Sequence, residues 1–500
     1  MNHHNVDVVI VGAGFSGSLA AILLLREGRS VALVERGKHP RFAIGESSTP
    51  LADFKLREIA DCYGLPRLKP LSQYGTWKQA YPNVMCGVKR GFSYFHHHEG
   101  KEFQTSAEHA SELLVTANSS RQTADTHWLR SDVDAFLLEE AIAAGAIYRD
   151  ETLIEHSESN DSIRLDCRRD GQPLKIEARF LIISTGSPQL WNQAFAVPAS
   201  GQALQTRSRS LFAHFANVKP WHDVMDELGL ATSDHPFPCD QAALHHVFDG
   251  GWMWQLRFDD ETTSIGLLLD SHRHPINSAL TTNAEWHQWL ERFPSIKHQL
   301  ADATIVRPQA GLQRVDHLQH ELRKVTGANW ALLPAAVGFA DPLFSTGIGH
   351  ALFSVDRLVT GLRDLDDPVR LRESLAGYSL RVTQEIDLID RFVSLAYRAS
   401  GDFSQYVLAA MPYFAAATSC EQASRDARHG AGPAFLLADN PEFLKAMRLV
   451  EESHSLNAKN ASVSSIEQFK NKVADALRPF NHVGLLSPEV PRMYRHTAAK

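Results

Sequence analysis

The chain has 500 residues, 44% hydrophobic and 22% charged, with a net charge of −8. That length allows two or three domains, the composition is that of a soluble globular protein, and the negative balance excludes nucleic acid and anionic membrane as favoured partners. No stretch approaches the ~20 consecutive apolar residues of a membrane span and no signal peptide precedes the first strand-like segment, so a cytoplasmic location is expected, with Cys62, Cys86, Cys167, Cys239 and Cys420 as scattered reduced thiols without a role.

Val6 to Gly37 reads as strand, tight turn, helix and strand in one unit. Val8 to Val11 suit a strand buried on both faces, and Gly12, Gly14 and Gly17 supply the turn, the close approach of backbone to pyrophosphate, and the helix packing. Gly12, Ala13, Gly14, Ser16 and Gly17 are therefore expected to hold a dinucleotide, its pyrophosphate on the free N–H groups of the helix start. Gly28 ends that helix and Val31 to Val34 form the second strand. Glu35, followed by Arg36, falls where a carboxylate binds the ribose hydroxyl pair, roughly 20 residues past the glycines. An adenosine with a free 2′-hydroxyl is favoured.

The segment Gly37 to Pro50 clusters Arg41, Gly45, Glu46 and Ser47 just past that ribose contact. A nicotinamide dehydrogenase would feed another short α/β unit here, whereas a polar loop followed by a helix suits a chain lying along an isoalloxazine ring; a plain surface loop is the alternative. The Gly-Glu-Ser pattern closing on Pro50 resembles the corresponding loop of flavin-dependent halogenases. Cys86-Gly-Val-Lys-Arg-Gly-Phe-Ser-Tyr-Phe95 then reads as a strand interrupted at Gly91, on which only one of Lys89 and Arg90 can face a pocket. On pattern alone, Lys89 is a solvated edge residue. The segment is nevertheless similar to the lysine segment of halogenases that act on free phenols, and that resemblance implies that Lys89, partly buried, handles the activated halogen with Phe92 beside the substrate. His96-His97-His98-Glu99 reads as a polar loop, since no second ligand group follows at metal spacing.

A helix is expected from about Arg130, with Ser131 or Asp132 as its cap, and Arg130 is either an exposed helix-end charge or, as the resemblance implies, a flavin contact. Alternating segments near Leu153 to Ile163 and Leu174 to Ile183 bring the chain back to Ser184-Thr-Gly186-Ser187, a second visit to the nucleotide sheet. Strands at 211–218, 243–248, 252–258 and 264–269 read as an antiparallel sheet roofing the flavin. Within it, Gly251-Trp-Met-Trp-Gln-Leu-Arg257 resembles the halogenase motif Trp-x-Trp-x-Ile-Pro, with Trp252 and Trp254 in place but Leu256 and Arg257 where isoleucine and proline are expected. In the family this motif keeps organic substrate from the flavin, so its half-loss leaves direct hydroxylation open.

Trp330 to Gly349 marks a third visit, a buried strand followed by Gly338-Phe-Ala-Asp341-Pro-Leu-Phe344-Ser345-Thr346-Gly347-Ile348, in which a helix start frees the N–H groups of Thr346 and Gly347 for a small anion. It resembles the flavin and halide segment of the family, which implies FAD contacts at Asp341, Gly347 and Ile348 and a halide at Ser345, Thr346 and Gly347. Tryptophan halogenases carry a glutamate where this chain has Phe344, so tryptophan is an unexpected substrate, and the resemblance implies substrate contacts at Phe92, Trp252, Trp254, Phe344 and Tyr406. Residues 366–500 read as amphipathic helix whose stretch 403–414, with Tyr406, lines a substrate cavity or packs a core.

The expected fold is thus α/β: a Rossmann-type FAD-binding part over 1–200 with 301–362 returning to it, a substrate-side antiparallel sheet over 201–300, and a helical region over 363–500. The resemblance implies that reduced FAD from a separate flavin reductase, O2 and halide generate hypohalous acid, which Lys89 presents to an electron-rich, phenolic aromatic. A flavin hydroxylase of the same fold is the alternative, and a flavoprotein without oxygen chemistry the third reading.

Overall fold

The computed structural model describes residues 2–186, 204–322, 324–430, 432–458, 463–490, 492–495 and 497–498. The β-branched run 8–11 is buried on both faces because β1 (Asn2–Val11) pairs in parallel with β2 (Val31–Val34) on one side and with strand Gln172–Ile183 on the other. Between β1 and β2 lies α1 (Phe15–Arg26). These strands are the centre of a seven-stranded sheet, completed by Ile147–Arg149 beyond β2, by Ile163–Arg169 and Thr152–Ser159 beyond Gln172–Ile183, and by Trp330–Leu332, which also pairs with Gln172–Ile183. The third return to the nucleotide sheet, expected over Trp330 to Gly349, is made by its first strand Trp330–Leu332, while Gly338 sits in a separate two-stranded ladder with His320–Glu321.

A nine-stranded sheet carries the roof. Its centre is the expected antiparallel set Ser208–Ala216, Thr263–Asp270, Gly251–Arg257 and Ala243–Phe248, but it is neither confined to 201–300 nor wholly antiparallel. β4 (Gly91–His96) pairs in parallel with Ala243–Phe248 and in antiparallel fashion with β5 (Glu112–Thr116), which in turn pairs with Met493–Tyr494. The preceding β3 (Cys86–Lys89) belongs to neither large sheet and pairs with β6 (Asp125–Trp128), with Lys89 opposite Asp125. The break between β3 and β4 falls at Arg90, whose N–H donates to Gln241 O at 2.6 Å and whose guanidinium is held by the carbonyls of Asn118 and Ser119. Gly91 is needed for close approach, since a Cβ there would lie 2.0 Å from Val115 O.

Helices Pro368–Ala399, Phe403–Asp426, Pro441–Ala458 and Val463–Leu477 form the C-terminal region, and the first two join the nucleotide sheet and the roof in one apolar core. Among the described residues no helix is long and apolar enough to cross a membrane. The five cysteines are free thiols.

Candidate functional site

The nucleotide end is built on glycine. Gly12 has φ +103°, and a Cβ there would lie 2.4 Å from Ser184 O; one on Gly17 would lie 2.0 Å from Gly12 O. Only glycines let the turn, the helix and the neighbouring strand approach this closely. Gly14 caps α1 without any side-chain bond, so Ala13, Gly14 and Ser16 lie where the first-turn N–H groups are open. The guanidinia of Arg41 and Arg130 lie 3.7 and 3.8 Å from the position of a Cβ on Gly14, and the Asp134 carboxylate that pairs with Arg130 lies 3.5 Å from it. Arg130 reaches Asp134 at 2.8 and 2.9 Å and the carbonyls of Ile44 and Gly45 at 2.8 and 3.2 Å, which ties it to the loop and excludes a free surface position. Its helix, Arg130–Ala143, is capped by Leu129; Ser131 and Asp132 lie inside it, and Asp132 instead accepts from Met85 N–H.

Glu35 accepts one hydrogen bond from Ala13 N–H and one from Gly37 N–H, both at 2.9 Å. Burial alone would raise this carboxyl, but those N–H groups and Arg41 hold it below the usual carboxylate range. A charged acceptor therefore stands beside the glycine turn, while Arg36 is exposed. Gly186, with φ +66°, ends the second visit to the sheet, and Ser187 lies outside the described residues.

Beyond the turn opens a cavity. Gly45, Glu46 and Ser47 line one side, Ser345, Thr346, Gly347 and Ile348 another, and Trp252, Trp254 and Leu256 a third. Glu46 Oε1 lies 2.9 Å from His214 Nε2, and the buried hydroxyls of Ser47 and Ser210, both on the cavity wall, have no hydrogen-bond partner among the described residues. Ser345 takes the left-handed conformation, φ 53°, and starts helix Thr346–Gly361, which has no acidic residue in its first turn. A Cβ on Gly347 would meet nothing within 4 Å, so the open N–H groups face room for an anion. Asp341 lines the same cavity and accepts from Ser208 Oγ at 2.8 Å and Tyr397 OH at 2.9 Å. Burial raises its carboxyl to about 7 against those donors. A glycine-crossed helix start flanked by arginines, a carboxylate beside it, and a cavity with unpartnered hydroxyls together suit FAD.

The departures from the tryptophan motif leave its apolar wall intact. Leu256 is buried on the cavity, Arg257 turns away to donate to Val218 O at 3.1 Å, and the indole N–H groups of Trp252 and Trp254 are spent on Tyr397 OH and Ser264 Oγ.

Lys89 is fully buried, where partial exposure was expected. Its strand is covered by the loop 46–48, which is laced onto β6 by Trp128 N–H to Glu46 O at 2.6 Å and Ser48 N–H to Thr126 O at 3.0 Å. Lys89 Nζ donates to Ser48 O at 2.6 Å and lies 4.1 Å from the centroid of the Phe92 ring. Burial lowers its pKa to about 7 although Asp125 and Asp53 oppose this. Asp53 is pushed well up by burial and by Asp125, and burial and Lys89 together take His127 down to about 3. This buried acid pair went unnoticed in the sequence because its members lie on a helix and a strand far apart in the chain.

Phe92 separates Lys89 from a second, narrow cleft, lined also by Thr49, Pro50, Tyr413 and Phe414. The five residues expected at the substrate thus divide. Trp252 and Trp254 line the first cavity and Phe92 the second, whereas Phe344 and Tyr406 line neither. Phe344 stacks on Tyr413 at 4.5 Å, and Tyr406 is buried against Tyr94 and Phe403. Nor is 96–99 a polar loop: His96 ends β4 and both His96 and His97 are buried, bonding to Ser400 O and His246 Nδ1.

Residues 7–236 match a model of the FAD dependent oxidoreductase family. The chain is 31% identical over 413 residues to the monodechloroaminopyrrolnitrin halogenase PrnC of Pseudomonas fluorescens, covering 80% of this chain and 69% of that protein. It is 29% identical to the tetracycline 7-halogenase of Kitasatospora aureofaciens over 72% of this chain and 64% of that protein's length. Its fold superposes on the crystal structure of halogenase PltM with a TM-score of 0.86 at 23% identity, covering 97% of this chain and 99% of the other; PltM has also been solved in complex with phloroglucinol and FAD.

Proposed function

The chain belongs to the flavin-dependent halogenases, FAD enzymes that use halide and oxygen, and from that premise we propose that it halogenates an electron-rich, phenolic aromatic other than tryptophan, with Lys89 delivering the halogen. The observation that carries this reading is the position of Lys89. Its ammonium hangs from Ser48, between Ser47 on the wall of the first cavity and Thr49 on the wall of the second.

In this reading the turn Gly12 to Gly17 would hold FAD, Glu35 would accept from its ribose, Arg41 and Arg130 would meet its phosphates, and Glu46, Ser47, Asp341 and Ile348 would contact its ring. When bound and reduced it supplies, with oxygen, the oxidising power that turns halide into hypohalous acid. Thr346 and Gly347 hold the halide through open N–H groups next to Ser345, whose own N–H is spent on Pro342 O at 2.9 Å. The wall of Trp252, Trp254 and Leu256 excludes the organic substrate from this chamber and forces the oxidised halogen past Lys89. There the ammonium gives a proton to the oxygen of hypohalous acid as a ring carbon of the substrate takes the halogen, and water leaves. The resulting amine then removes the displaced proton from that carbon, which regenerates the ammonium. A pKa near 7 suits a group that must give and take one proton in each turnover. The aromatic ring enters at the narrow cleft of Phe92, Tyr413 and Phe414, which widens by movement of the Phe92 ring to take it.

Reduced flavin is supplied by a separate reductase. Chemically reduced FAD, oxygen and bromide with a panel of phenols test the whole reading. Brominated product supports it, halide-independent hydroxylation would reassign the enzyme as a hydroxylase, and peroxide alone would leave a flavoprotein without this chemistry.

A further inference from the structure

Glu112 opens β5 with its side chain fully buried. A buried carboxylate requires a compensating cation, yet its ion-pair partners among the described residues are two histidines and no lysine or arginine. His109 Nδ1 lies 2.8 Å from Glu112 Oε2, which also accepts from the Thr105 hydroxyl at 3.0 Å. His235 Nε2 lies 3.4 Å from Glu112 Oε1 without a hydrogen bond forming, and neither ring nitrogen of His235 nor Oε1 of Glu112 has a hydrogen-bond partner among the described residues. Asp234 faces the far ring nitrogen of His109, Nε2, at 2.8 Å. A carboxylate on the far nitrogen of a histidine is the usual support of a metal ligand.

The ligand atoms of His109, Glu112 and His235 all lie within 4.8 Å of one another. The comparable cluster Glu58, Asp356 and His429 is already neutralised, because Lys55 Nζ reaches Glu58 at 2.7 Å and Asp356 at 2.6 Å. Near His109 the guanidinium of Arg492 is committed to the carbonyls of His109 and Ala110 and to Ser404 Oγ, not to Glu112.

We infer that His109 Nδ1, Glu112 and His235 Nε2 bind one divalent ion, zinc by their nitrogen and oxygen donor set. The three residues line neither cavity of the candidate site, so the ion clasps the His235 loop to the start of β5 and takes no part in halogenation.

The test uses the FAD-loaded full chain, stripped with a chelator, exposed to zinc sulfate in small excess and desalted, with metal counted by mass spectrometry. One zinc per chain is expected, together with a zinc-dependent rise in the thermal midpoint. His235→Asn should lose both while keeping bound FAD, and Glu112→Gln should do the same. The inference is overturned if the parent protein retains no zinc and shows no thermal shift, or if His235→Asn retains as much as the parent, which would place the metal on surface histidines.

Discussion

Lys89 Nζ donates to the backbone carbonyl of Ser48 at 2.6 Å, deep enough that the lysine has no exposed surface. Burial takes its pKa from 10.5 to about 7, and the nearby carboxyls of Asp125 and Asp53 only partly offset that. The folded state therefore binds fewer protons than the unfolded state between about pH 7 and 10.5, so this residue makes stability rise with pH across that window. Lys89→Met should remove that rise and, at neutral pH, cost little or stabilise, because an apolar chain of similar length carries no desolvation penalty. Urea unfolding of parent and variant at several pH values checks this; parallel curves would mean that Lys89 is not depressed.

Asp341 behaves in the opposite sense. Its folded carboxyl is raised from 3.8 to about 7, so the stability it contributes is complete below about pH 4 and is lost as pH rises through 7. In flavin-free protein, Asp341→Asn should match the parent at low pH and exceed it by about 1 kcal/mol or more above neutrality. An Asn variant that loses stability equally at both ends of the range would show that the carboxyl is already ionised.

At the halide, Gly347→Val places a side chain in open space, so the fold tolerates it while the cradle of N–H groups is filled. Halogenation should fall at least tenfold with a raised requirement for halide, and FAD titration should remain close to that of the parent. Near-parental halogenation at low bromide would put the anion elsewhere.

Gly17→Val drives a side chain into Gly12 O, 2.0 Å from the new Cβ, and spreads the turn on which pyrophosphate is expected. The variant should purify without yellow colour and show no heat on titration with FAD. Parental FAD affinity in this variant would contradict the assignment of the turn.

How much of this was legible in the sequence depended on distance along the chain. Gly12, Gly17 and Glu35 form a local pattern whose strand, turn and helix leave little choice of geometry, and the open helix start at Thr346 was readable for the same reason. The burial of Lys89 was not, because it depends on β6 and on the loop at Glu46 to Ser48 folding over β3, two pairings between segments far apart. The Asp53–Asp125 pair and the His109–Glu112–His235 cluster were hidden similarly; the spacing of His109 and Glu112 was visible, but His235 comes from beyond the start of the roof sheet. Phe344 and Tyr406 pack against other aromatics, Tyr406 in the core role that its sequence also allowed, because an aromatic in a core and one on a cavity wall follow the same pattern.

The most direct test of the central claim compares the parent with Lys89→Met, each given chemically reduced FAD, oxygen, bromide and an accepted phenol, while brominated phenol and free hypobromous acid captured by a β-diketone are measured together. Loss of at least 99% of the brominated phenol, with hypobromous acid still captured and FAD still bound, is the predicted result. Substantial bromination of the phenol by Lys89→Met would contradict the account and remove Lys89 from the path of the halogen.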